Sequence, residues 1–225
     1  KCAEVIPNEA RALRLREFIP VLEKHLLSFA LQRYRTDAET FAAEKGLNVE
    51  KIARDYALLR ALLELTRDGG SWGIRWQITN KEPTSREIWK TWSVAFKDAA
   101  RDSRETAFAE CDEVSALFAF LARNMGVGNV GLYWPTWNHT IAMWEPADKV
   151  RVLIPTTQIF LDCDETFGRV DFQMKTSRHR LSPFPANDAR ADTLLPASLV
   201  AFLLDRADTF GPASEAVQSY ARIVR

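Results

Sequence analysis

The feature that most constrains the fold is an apolar helical run followed directly by stretches with strand periodicity. The run covers residues 110–126, with Cys111 near its start and apolar side chains at helical spacing after it. The strand-like stretches that follow are residues 127–134, 140–144 and 150–154. Because the connections between them are short, they predict neighbouring antiparallel strands, with the helix packed on their sheet.

The first third of the chain has a helical pattern throughout. Residues 8–67 carry apolar side chains at helical spacing, with charged residues between them. Pro20 is predicted to kink or divide the first helix. Gly46 is predicted to end a second helix, and Asn48 to begin a third.

Further helices are predicted before and after this helix and these strands in the sequence. The other predicted segments are a turn-rich stretch at 71–85, a strand at 170–174, a loop at 182–188 and helices at 86–101, 197–208 and 214–224. This order predicts an α+β fold. We expect a helical N-terminal extension or cap at residues 1–70, and a core with C-terminal helices at residues 71–225.

Charge and hydropathy exclude some classes of partner. Lys plus Arg and Asp plus Glu number 30 each, so the formal net charge is zero. We therefore expect no nucleic-acid partner, because such a partner usually selects a basic surface. No stretch approaches the ~18 apolar residues of a transmembrane helix, and no signal peptide is visible.

The cysteines leave the cellular compartment open. If Cys111 is a free thiol, Cys2 and Cys163 either form a disulfide, as in an oxidising compartment, or both stay reduced. The chain begins at Lys1 rather than at Met, so we expect a processed or trimmed chain. A secreted or periplasmic location, with the signal removed, is compatible with this expectation.

Cys111 and His139 carry the strongest chemical signal. A thiol on the first turn of a helix lies where backbone N–H groups point outward and the helix dipole favours an anion. The thiolate is the nucleophilic form of cysteine. A histidine on the neighbouring strand can take the thiol proton and return it to a leaving group. The two residues therefore predict a nucleophilic Cys–His centre.

The position of a third catalytic group follows from counting along the predicted hairpin. With the turn centred on Ala147, His139 is expected opposite Pro155. A side chain that orients the imidazole then comes from residues 154–158. The candidates are Thr156, Thr157 and Gln158, and a bulge or sharp turn would add Asp162.

The same residues resemble a known family. The sequence Cys-Asp-Glu-Val-Ser-Ala-Leu from Cys111, ending in Met-Gly-Val at 125–127, is similar to the transglutaminase-like superfamily, in which a cysteine begins a helix before the first strand. His139 matches the strand histidine of that family. Residues 152–158 stand where the family usually presents an aspartate in a Val-Asp-Pro-Thr pattern, and this chain has isoleucine or proline at that position.

The resemblance covers residues 105–165 and implies a papain-like fold. It implies a cysteine-dependent amide hydrolase or acyltransferase, such as a peptidase, amidase or deamidase, that acts through a thioester on a peptide or other amide-bearing substrate. Papain-like relatives use a neutral amide as third member, so Gln158 is assigned beside Cys111 and His139. The missing aspartate supports an alternative, a catalytically inactive binding or scaffold domain with a protein partner on the N-terminal helices.

Aromatic residues surround the predicted centre, and metal ligands do not. Trp134 and Trp137 lie just before His139, on either side of a proline, so we assign them to a substrate cleft. Cys163 lies among acidic residues, but no paired cysteine or histidine ligands accompany it. We therefore expect neither a metal nor another cofactor.

Overall fold

The computed structural model describes residues 13–67, 70–72, 75–78, 106–109, 111–136, 139–156, 194–195, 200, 201, 203, 204, 206 and 207. It describes the backbone alone for residues 75–78, 106–109, 112, 134–136 and 139. The described elements combine helices and strands, which confirms the predicted α+β class. The helices predicted at 86–101 and 214–224, the strand at 170–174 and the loop at 182–188 lie outside the described residues.

Three consecutive helices form the N-terminal part, as the sequence predicts. They are α1 (Leu15–Arg33), α2 (Arg35–Lys45) and α3 (Val49–Thr66). Gly46 ends α2 at φ 64°, and Asn48 Oδ1 accepts the N–H of Glu50 at the start of α3. Pro20 lies inside α1 without dividing it, so that alternative is wrong, because its missing N–H removes only one intrahelical bond.

Two short strand pairs lie outside the predicted sheet. β1 (Leu13–Arg14) pairs antiparallel with β7 (Leu194–Leu195), and β2 (Arg75–Ile78) pairs in parallel with β3 (Thr106–Ala109). The helical prediction at 13–14 and the turn prediction at 75–78 are therefore wrong. Each strand forms through a partner far along the chain, which local periodicity does not report.

A three-stranded antiparallel sheet follows the cysteine helix, as predicted. Helix α4 (Cys111–Asn124) leads to β4 (Val130–Thr136), β5 (His139–Ala147) and β6 (Val150–Ile154), and β5 is the central strand. Ala142 of β5 pairs with Leu132 on one side and Ile154 on the other.

The predicted register of the β5–β6 hairpin is wrong. The pair Ala142–Ile154 leads two residues further to Thr140 and Thr156, whereas the prediction put His139 opposite Pro155. The strands extend to the pair Ala147–Val150, after an irregularity that follows Trp144. The turn is therefore tighter than expected, with Lys149 at φ 65°.

One hydrophobic core joins the N-terminal helices to one face of this sheet. It contains buried side chains from α1, α2, α3, α4 and the sheet, together with helical residues between 200 and 207. Trp144 of β5 stacks on Phe41 of α2 with ring centroids 6.2 Å apart. The other face of the sheet carries a smaller cluster, as the alternation of strand side chains requires. Its members are Tyr133, Ile141, Met143 and Leu153.

Arg54 links α3 to the C-terminal end of α4 through hydrogen bonds. Its Nη2 donates to the Met125 carbonyl at 2.7 Å and to the Glu23 carboxylate of α1, and its Nη1 donates to Asp55 at 2.8 Å. Because α4 has 14 residues, its anchored end lies about 20 Å from Cys111 at ~1.5 Å per residue.

Candidate active site

Cys111 occupies the position that the sequence predicts, at the first residue of α4. Its thiol is free and partly exposed. The first N–H groups of a helix have no acceptor within that helix, so they are available to an anion near the helix start. The local structure therefore places an accessible sulfur at the start of a helix.

The sulfur contacts the strand that carries His139. The N–H of Thr140 donates to Cys111 Sγ with nitrogen and sulfur 3.4 Å apart. Thr140 directly follows His139, the first residue of β5. The Cα of His139 is about 2.4 Å from that nitrogen through covalent bonds, so it lies within about 6 Å of the sulfur. The backbone of His139 therefore lies close to the sulfur of Cys111.

Ser115 lies one turn after Cys111 and joins three segments. Its Oγ lies 2.6 Å from the Cys111 carbonyl oxygen, 3.1 Å from the Thr140 carbonyl oxygen and 2.6 Å from Thr156 Oγ1. A serine hydroxyl has one proton, and carbonyl oxygens only accept. All contacts are satisfied when the Thr156 hydroxyl donates to Ser115 and the single Ser115 proton is shared between the Cys111 and Thr140 carbonyl oxygens.

The face of α4 that carries Cys111 therefore holds Thr140 through both of its backbone groups. Cys111 and Ser115 are four residues apart, which places them on one helix face. The sulfur accepts the N–H of Thr140, and the serine hydroxyl donates to its carbonyl oxygen. Ser115, Thr140 and Thr156 are 0 %, 3 % and 1 % exposed, so these polar contacts are shielded from water.

Of the other predicted site residues, the structure describes Thr156 and the backbone of Trp134. Thr156 follows β6 in a tight turn, where its N–H donates to the Ile154 carbonyl at 2.8 Å. The backbone of Trp134 belongs to β4. Four candidates lie outside the described residues, and their assignments stay predictions: Trp137, Thr157, Gln158 and Asp162.

No role for Ser115 or Thr140 was predicted from the sequence. A signal for Ser115 was present, because a serine four residues after Cys111 falls on the helix face that must meet the sheet. An apolar residue is the ordinary choice at such a position. No comparable signal marks Thr140, because its two backbone contacts do not depend on its side chain.

The neighbouring sheet adds one group with a shifted pKa. Burial raises the pKa of Tyr133, and the positive charge of Arg151 partly offsets this rise. Tyr133 pairs with Ile141, next to Thr140, and its ring belongs to the smaller cluster on the other face of the sheet. The phenol is therefore neutral at physiological pH.

The described residues contain neither a metal-binding cluster nor a membrane-spanning helix. Within those ranges, no group of three or more His, Cys, Asp or Glu side chains is placed to hold a metal ion. Among the helices that the structure describes, none is long and apolar enough to cross a membrane.

Comparisons with protein-family models, curated proteins and solved structures found no match in any of the three. The class that the structure supports is an α+β protein in which a cysteine-bearing helix packs on a three-stranded antiparallel sheet.

Proposed function

We propose that the protein is a cysteine-dependent amide hydrolase or acyltransferase of transglutaminase-like type. Cys111 is the nucleophile, and His139 is the general base and then the general acid. The proposal is carried by the contact between Cys111 Sγ and the N–H of Thr140, the residue after His139. This contact joins the start of α4 to the start of β5, as a Cys–His pair on a papain-like core requires.

The surroundings of Cys111 suit a nucleophile. The side chain is partly exposed, so a substrate carbonyl can approach the sulfur. The N–H of Thr140 points at the sulfur, and a hydrogen-bond donor in that position favours negative charge on its acceptor. The dipole of α4, whose N-terminal end lies at Cys111, acts in the same direction.

In the first half-reaction, the thiolate attacks the carbonyl carbon of a peptide or other amide. A C–S bond forms, and the carbonyl oxygen becomes an oxyanion that the Cys111 N–H and a second donor stabilise. The protonated His139 gives its proton to the amide nitrogen, the C–N bond breaks and the amine leaves. A thioester on Cys111 remains.

In the second half-reaction, a water molecule gives a proton to His139, and its oxygen attacks the thioester carbon. The C–S bond breaks, the sulfur leaves as thiolate, and the acyl group is released as a carboxylic acid. An amine in place of water gives acyl transfer. We assign Gln158 to orient His139, and Trp134 and Trp137 to line the substrate cleft.

The first test is alkylation of the native protein with iodoacetamide near pH 6, followed by peptide mapping. We expect Cys111 to react ~10-fold or more faster than in the urea-unfolded chain, because only the folded chain brings the proposed base His139 to the thiol. His139→Ala removes this advantage, and the control His25→Ala, in α1, keeps it. A native rate no higher than the unfolded rate overturns the proposal in favour of a binding domain.

The second test detects the thioester. The protein is incubated with a pool of amide-bearing peptides and hydroxylamine, which captures an acyl group as a hydroxamate. We expect acyl hydroxamates by mass spectrometry with the wild-type protein and none with Cys111→Ala. Equal yields from the two proteins exclude Cys111 as the nucleophile.

A further inference from the structure

The buried hydroxyl pair formed by Ser115 and Thr156 is placed to control the distance between the nucleophile and its base. We propose that both are positioning residues: their hydroxyls hold Thr140, and through it His139 at the start of β5, against Cys111. This inference rests on the proposed function and adds to it the residues that fix the geometry of its Cys–His pair.

The first support is the set of segments that the hydroxyl pair joins. The 2.6 Å contact between Ser115 and Thr156 links α4 to the residue that follows the turn after β6. The 3.1 Å contact with the Thr140 carbonyl adds β5. The first residues of α4 and β5 carry the proposed nucleophile and the proposed base. A single pair of side chains therefore links the segments of both to the end of β6.

The second support is where the pairing between β5 and β6 ends. The last β5–β6 pair toward the start of β5 is Ala142–Ile154, so Thr140 lies two residues beyond it, while β4 stays paired with β5 as far as Thr136–His139. Contacts from α4 to the N–H and the carbonyl of Thr140 add a second attachment for β5 past the last β6 pair. The Ser115 hydroxyl is hence well placed to keep the first residues of β5 close to Cys111.

The third support is the cost of burying hydroxyls. Burial of a hydroxyl without a partner is unfavourable, and the energy is recovered only when hydrogen bonds form. The Ser115 hydroxyl has a partner within α4, the Cys111 carbonyl at 2.6 Å, but its contacts with the Thr156 hydroxyl and the Thr140 carbonyl form only when α4, β5 and the end of β6 are in register. Alanine and valine would fill similar space without selecting that one arrangement.

The test compares Ser115→Ala, Thr156→Val and Thr156→Ser with the wild-type protein. Val keeps the shape of Thr156 without its hydroxyl, and Ser keeps the hydroxyl. The rate of Cys111 alkylation by iodoacetamide is measured against pH, with the unfolding midpoint recorded by circular dichroism. Thr66→Val is the control, because the buried Thr66 hydroxyl donates to the Leu62 carbonyl at 2.8 Å within α3.

We expect Ser115→Ala and Thr156→Val each to lower the rate of Cys111 alkylation near pH 6 by ~10-fold, because His139 is no longer held close to the thiol. The double variant adds little to either single one, because both remove the same contact. Thr156→Ser keeps the wild-type profile. Thr66→Val lowers the unfolding midpoint and leaves the profile unchanged.

Each alternative result has a distinct meaning. If the wild-type protein reacts rapidly and both folded variants keep its profile, the positioning role is wrong and the proposed function stands. If Cys111 of the wild-type protein reacts no faster than in the unfolded chain, the proposed function fails and the positioning role fails with it. If Ser115→Ala does not fold, the comparison of Thr156→Val with Thr156→Ser decides the matter alone.

Discussion

The backbone N–H of Thr140 donates to the sulfur of Cys111 across 3.4 Å, so a helix start and a strand start are joined at one point. Ser115, on the same face of α4, adds a second contact between α4 and β5 through the Thr140 carbonyl. The pair of elements that would carry nucleophile and base is therefore held together by contacts to the backbone.

Hydrogen exchange at the Thr140 amide tests this contact without a substrate. In Cys111→Ala the amide loses its acceptor, and a net hydrogen bond of about 1 kcal/mol corresponds to about 5-fold faster exchange. The measurement is exchange by NMR. The Ala142 amide is the internal control, because Ala142 is paired with strands on both sides. Equal acceleration at both amides would indicate general loosening of the sheet.

Removing the Arg54 side chain should weaken the attachment of α4 to the N-terminal helices. Arg54→Ala breaks the bonds to Met125, Glu23 and Asp55. We expect a loss of about 1–2 kcal/mol in the free energy of unfolding, a modest figure because the ion pairs are partly exposed. Urea unfolding at pH 7 measures it.

The matched control is Arg35→Ala, whose guanidinium pairs with Glu39 on the exposed surface of α2. We expect a loss below about 0.5 kcal/mol there. In the wild-type protein, burial raises the pKa of Asp55 and Arg54 lowers it. Without Arg54 this pKa rises further, so the defect of Arg54→Ala is largest at neutral pH and shrinks as the pH falls toward the unfolded value of ~3.9. A defect that grows in acid would contradict this account.

Gly126→Ala should destabilise the turn that ends α4. Gly126 has φ 80°, and the N–H of Val127 donates to the Ala122 carbonyl at 3.0 Å, as in a Schellman turn. A Cβ at this φ costs roughly 1–2 kcal/mol. The space itself is free, since the nearest atom to such a Cβ, Arg54 Nη2, is 3.7 Å away.

Gly128→Ala is the control for this turn. Gly128 does not have a positive φ, and a Cβ there would meet no atom within 4 Å. We expect thermal unfolding to show a lower midpoint for Gly126→Ala and an unchanged one for Gly128→Ala. Similar midpoints for the two variants would show that the left-handed conformation carries no cost.

The buried phenol of Tyr34 should lower the folding stability of the protein at alkaline pH. Burial raises its pKa above the ordinary value, and the positive charges of Arg60 and Arg33 only partly offset the rise. Above pH ~10 the unfolded chain releases the phenolic proton while the folded protein retains it, so folding stability falls as the pH rises. The loss from one such group is at most about 1.4 kcal/mol per pH unit.

Tyr34→Phe removes this proton and should flatten that decline. Urea unfolding of both proteins between about pH 8 and 11 measures the difference, within the range set by the ordinary tyrosine value of ~10. We expect a constant difference in stability up to about pH 9.5, followed by convergence or reversal in favour of Phe. Parallel curves to pH 11 would mean that the Tyr34 phenol ionises equally in both states.

Much of the fold was predictable because its signals are local. Gly46 and Asn48 mark helix ends through backbone chemistry that depends on one or two residues. The three sheet strands follow from alternation over short spans. The position of Cys111 at the start of α4 follows from the same helical pattern.

The remaining features depend on tertiary contacts. β2 and β3 are stabilised by pairing with each other. Neither has a sequence pattern that is strong enough to predict a strand. The hairpin register was missed because counting assumed a regular turn, whereas the β5–β6 pairing is irregular between Trp144 and Ala147. Ser115 acquires its role only from Thr140 and Thr156, which are distant in sequence.

The stacking of Trp144 on Phe41 has a consequence for how the chain can be divided. A polypeptide that started after α3 would leave this indole, with the apolar side of α4, facing water. Such a fragment should aggregate rather than fold. Genetic truncation or domain exchange near residue 70 would thus destabilise the remaining part of the chain, which contains Cys111.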